Sequence, residues 1–166
     1  MPIPRVVFAA TLALLCVHIV SAQHTASAEA TFHANGRVVL VTDYGTGNFY
    51  VGALKGAIAE AAPRALIDDA THEVPAFDVA GGAFILQAAA REWPAGTVFV
   101  AIVDPGVGTE RRPVVLLTRS GVAFVGPDNG LFGRVADDLG VAEVREITNA
   151  SLLRPGALSS TFHGRD

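Results

Sequence analysis

The sequence predicts a three-layer α/β/α sandwich on a mostly parallel sheet, and three observations carry that prediction. Two short runs, 38–41 and 98–103, are continuously apolar and rich in branched residues, as strands covered on both faces are. Helically spaced apolar positions lie between strand-like runs, which is the alternation of an α/β architecture. Both runs end on an aspartate that leads into a glycine-bearing loop, Asp43 before Gly45 and Gly47, and Asp104 before Gly106 and Gly108.

Each element follows in turn. The first strand, 38–41, is broken by Gly45 and Gly47. Val51, Leu54, Ile58 and Ala62 then share one side of a helix expected over 48–62, with Pro63 as its stop. A short strand is expected at 65–67. Asp78 is placed to cap a helix running through Ala80, Phe84, Ile85, Ala88 and Ala89 and ending before Pro94. Residues 97–103 carry the strongest strand signal in the chain. The runs 114–117 and 122–125 flank Arg119, Ser120 and Gly121 and read as a hairpin. A short helix over 131–139 closes on Gly140, and 144–147 reads as the last strand.

The 166 residues suffice for one domain. Arg5, an apolar stretch over 6–20 and the small residues Ser21 and Ala22 mark 1–22 as a signal peptide. Its core of about fifteen residues falls short of the roughly twenty that span a bilayer, so no stable membrane anchor is expected after cleavage. Export to the periplasm or the exterior follows, and cleavage would remove Cys16, the only cysteine. Residues 23–36 read as a flexible leader and 37–166 as the folded domain. A net charge of −4 and a single lysine, Lys55, argue against nucleic acid as a partner.

In open α/β sheets ligands bind beyond the carboxyl ends of the strands, so Asp43 and Asp104 are expected in one crevice. Either aspartate alone reads equally well as a turn cap; two on one edge favour a site. The glycines form no nucleotide fingerprint, because Tyr50 stands where a third glycine is required and no Walker pattern exists. Gly106 and Gly108 suit a sharp bend after Pro105, and 127–130 (Pro-Asp-Asn-Gly) is turn chemistry. Asp43, Asp104, Asp128 and His163 are the candidate metal donors. No ligand-spaced histidine or cysteine pair supports them, and Arg111 would compete for the carboxylates. Taken alone, His163 reads as a polar residue of the chain terminus.

Six segments occur in order: 42–45 (Thr-Asp-Tyr-Gly), 50–56 with Tyr50, Val51, Gly52, Lys55 and Gly56, 72–75 with His72, Val74 and Pro75, 104–111 with Asp104 and Arg111, 127–131, and 162–166 with His163. Together they resemble the S-adenosyl-L-methionine hydrolases (hydroxide adenosyltransferases), relatives of the fluorinase and chlorinase. The resemblance covers about 37–166. It implies hydrolysis of S-adenosylmethionine to adenosine and L-methionine, by water or hydroxide attack at ribose C5′, with no metal or organic cofactor. By residue-to-residue correspondence it assigns water handling to Asp104, Arg111 and His163. Ribose binding then falls to Asp43, further substrate contacts to Asn48 and Tyr50, and a pocket wall to Phe77.

Asn48 departs from the aspartate of many relatives, and a neutral amide holds an ammonium less strongly. Relatives similar to this chain continue into a β-rich second domain and close their pocket across a homotrimer. The resemblance therefore implies that this stretch is a catalytic domain without that second domain, poorly active by itself. A halogenase, a secreted nucleoside-binding module and a metal-dependent phosphohydrolase are the competing readings.

Overall fold

The computed structural model describes residues 32–153, 159 and 161–166; the expected signal peptide and the leader up to residue 31 lie outside them. Strand β1 (Arg37–Thr42) is followed by α1 (Tyr50–Ala61), β2 (Leu66–Thr71), α2 (Val79–Ala90), β3 (Val98–Ile102), β4 (Pro113–Thr118), β5 (Ala123–Pro127), α3 (Gly133–Leu139), β6 (Val141–Glu146) and a short 3-10 turn, Ala150–Leu152. The six strands make one sheet in the order β2-β1-β3-β5-β4-β6. β2, β1, β3 and β5 are mutually parallel, and β4 runs against both of its neighbours. The sheet is thus mostly, not purely, parallel, and the hairpin of β4 and β5 supplies the reversed strand.

Alternation along each strand divides the core into two layers. Val39 and Val41 of β1 join Phe99, Ala101 and Val103 and Phe124 on the face covered by α2 and α3, where Ala83, Leu86, Leu131 and Val135 meet them. Leu40 and Ile102 point the other way, onto Leu54 of α1. Helices on both faces of one sheet make this the expected sandwich.

Several boundaries differ from the sequence expectation, each for a physical reason. α1 begins at Tyr50 because Asn48 folds its side chain into the preceding turn, accepting from the Tyr50 N–H at 2.8 Å. β2 runs on through Asp68 and Asp69, polar residues that an edge strand tolerates. The buried stripe of α2 is Gly82, Ala83, Leu86 and Ala90, while Phe84 is 61% exposed. Gly82 allows the close approach, since a Cβ there would lie 3.1 Å from both Leu131 and Val103. β6 starts earlier than expected, and all six of its residues are exposed on the sheet edge. Asp78 caps α2 as expected, its Oδ1 accepting from the Gly81 N–H at 2.9 Å.

Candidate active site

β1 and β3 are parallel neighbours in register, Thr42 opposite Ile102, so the residues that follow them emerge side by side. That register brings Asp43 and Asp104 to one cavity of about 370 Å³, which Tyr44, Tyr50, Phe77 and Phe162 also line. The crevice lies beyond the carboxyl ends of the strands, where the sheet topology predicts a ligand.

Asp104 is buried, and the loop after it turns back to present Arg111. A Thr109 hydroxyl donating to the Gly106 carbonyl at 2.7 Å and a φ of +82° at Gly108 shape that loop. Arg111 places Nε at 2.6 Å and Nη2 at 2.5 Å from the same atom, Asp104 Oδ2. Both contacts use one oxygen. Oδ1 is buried with no hydrogen-bond partner among the described residues.

His163 sits in a turn held by Arg165 and Asp166 N–H groups donating to the Phe162 carbonyl. The turn lies against β3: a Cβ added to Gly164 would meet Ile102 at 2.7 Å. Phe162 and Gly164 line the crevice on either side of His163 in sequence. The His163 side chain is half-buried, and no hydrogen bond joins it to Asp104 or Arg111 among the described residues. The fold therefore unites Asp104 with Arg111 and brings the His163 turn alongside, without closing a three-membered network.

Among the residues expected to bind substrate, Asp43 accepts from the Phe77 N–H through Oδ2 at 2.8 Å. Phe77 adopts φ +63°, a left-handed conformation costly for an aromatic residue, and its ring is 63% exposed at the crevice. Tyr50 packs on Phe162 with ring centroids 4.7 Å apart. Asn48 is elsewhere engaged: its Nδ2 donates to the Tyr44 carbonyl, and it does not line the crevice.

Tyr44 was not singled out by sequence reasoning, yet its ring is central, with edge contacts to Tyr50 and Phe162 at 6.3 Å. Burial, helped by the negative charges of Asp43 and Asp104, pushes its phenol up to about 12. It stays protonated and can donate a hydrogen bond into the crevice. The available signal was its place directly after the strand-ending aspartate. His72, buried against Thr42, was noted only as part of a segment.

Residues 38–166 match the SAM hydroxide adenosyltransferase N-terminal domain. The chain is 44% identical over 133 residues to the (R)-S-adenosyl-L-methionine hydrolase of Methanocaldococcus jannaschii, covering 78% of this chain and 49% of that protein. It is 29% identical over 157 residues to a fluorinase of an Actinoplanes species, covering 80% and 52%. A crystal structure of an uncharacterized conserved protein from Thermotoga maritima superposes with a TM-score of 0.76 at 44% identity, covering 78% of this chain and 50% of its own. The chain spans about half the length of the relatives it matches.

Proposed function

The chain belongs to the SAM hydroxide adenosyltransferase family, and from that premise we propose that its crevice serves the hydrolysis of S-adenosyl-L-methionine to adenosine and L-methionine. One observation carries the proposal: a buried carboxylate, Asp104, lines the crevice with both Arg111 contacts on its Oδ2. Asp104 lines the crevice and is read as the group that orients the attacking water there, while Arg111 offsets its charge. The guanidinium also favours hydroxide as it develops.

The chemistry balances simply. Water oxygen forms a bond to ribose C5′ as the C5′–S bond breaks, and the electron pair of that bond returns to sulfur. The sulfonium becomes the neutral thioether of methionine. Following the family resemblance, the proton lost by water is assigned to His163, whose turn lies beside the crevice. Asp43 keeps Oδ2 on Phe77 and offers its remaining capacity to the ribose hydroxyls in charge-assisted hydrogen bonds. The exposed Phe77 ring forms a wall. Following the family resemblance, neighbouring subunits of a homotrimer cover the open side.

The test is hydrolysis in ¹⁸O-water by the purified protein. Adenosine carrying the label at its 5′ oxygen is the expected product. Unlabelled adenosine, or substrate binding without any product, overturns the reading.

A further inference from the structure

We infer that His72 is a positioning residue, which clamps the strand end bearing Asp43 through a chain that starts at buried Thr42 and ends at the exposed pair Asp69 and Lys55. This rests on the assignment of Asp43 as the group that binds ribose.

His72 is 5% exposed, and its Nδ1 lies 2.8 Å from the Oγ1 of fully buried Thr42. That oxygen already accepts the Tyr44 N–H at 3.2 Å. The Thr42 hydroxyl proton is then best used toward Nδ1, which places the imidazole proton on Nε2. Nε2 lies 3.1 Å from Asp69 Oδ1, off the axis of an aligned hydrogen bond, so this contact is one of charge and dipole. The other oxygen of Asp69 takes Lys55 Nζ at 2.6 Å. The only lysine of the sequence therefore anchors the far end.

A hydroxyl, an imidazole and a carboxylate in this order resemble a nucleophile-activating triad. Thr42 has no solvent exposure, so no electrophile reaches its oxygen, and the chain acts as a brace. Its backbone does the same work. The His72 carbonyl accepts from the Gly45 N–H at 2.7 Å, and Val74 N–H donates to the Thr42 carbonyl at 3.3 Å. Asp43 lies between Thr42 and Tyr44, both held by this network, and its carboxylate in turn holds Phe77. Asp104 and Arg111 share none of these bonds. Loosening His72 should therefore impair substrate capture more than the chemical step.

The test uses His72→Gln, Thr42→Val and Thr42→Ser in the full protein. In hydrogen exchange without ligand, the Tyr44, Gly45 and Phe77 amides should exchange about tenfold faster in His72→Gln and Thr42→Val, the loss of roughly one buried hydrogen bond. The β3 amides should be unmoved, and Thr42→Ser should behave as the parent. In turnover of S-adenosylmethionine, KM should rise about tenfold with kcat within about twofold. Unchanged exchange at the three amides, uniform acceleration across the sheet, or a fall in kcat at constant KM would each overturn the inference. A parent protein that releases no adenosine sinks the hydrolase reading alone, because the exchange measurement still decides the role of His72.

Discussion

Asp104 shows how one side chain divides its work, with Oδ2 given to Arg111 and Oδ1 buried without a donor among the described residues. Asp104→Asn would exchange an ionised oxygen for an amide and leave the guanidinium uncompensated. Turnover should fall about 10²-fold or more, because the attacking water loses the group that positions it, and steady-state adenosine release checks it. Tyr44 gives a second residue-scale prediction. Its folded value, about 12, lies above the ordinary 10.0, so the stability linked to its proton is fully present below pH 10. That part of the stability, on the order of 2–3 kcal/mol at 1.36 kcal/mol per unit, is lost as pH rises from 10 towards 12. Thermal unfolding of Tyr44→Phe against the parent across that window should show the parent's midpoint falling more steeply; parallel curves would refute it. Asp104 and Arg111 were legible in the sequence because a short loop joins them, and Asp43 because both strands end on one edge of a parallel sheet. Tyr44 and His72 were not, because their importance comes from packing against residues far along the chain.

At the scale of the element, the pattern of apolar residues located every strand and helix, while side-chain hydrogen bonds and edges set where each one ends. Asn48 belongs to the turn because its amide bonds Tyr44 and Tyr50, which no periodicity reveals. Phe84 lies off the buried stripe of α2, which small residues take because helix and sheet approach closely at Gly82. Asp78→Ala should cost about 1 kcal/mol in chemical denaturation, through loss of the α2 cap. Gly126→Ala should cost more, about 3 kcal/mol or above. A Cβ there would stand 2.2 Å from the Ala101 carbonyl oxygen, and the backbone pairing of β3 with β5 has little room to yield. If Gly126→Ala unfolds no earlier than Asp78→Ala, the close approach is relieved more readily than this packing allows.

For the molecule as a whole, residues 1–22 predict processing after Ala22, and N-terminal sequencing of protein recovered from an exporting host should begin at Gln23. Retention of the first residues would remove export from the account. Phe49 is 72% exposed, and Phe77, which lines the crevice, is 63% exposed. Sequence alone determined the layered α/β class and the family, since periodicity and ordered short segments are local properties of the chain. Only the tertiary structure decided that both Arg111 contacts fall on one oxygen of Asp104 and that His163 approaches without bonding to that pair. It alone placed a buried imidazole against Thr42, the residue before Asp43. Those outcomes depend on strand register and on contacts between residues distant in sequence, and spacing along a chain carries no information about either.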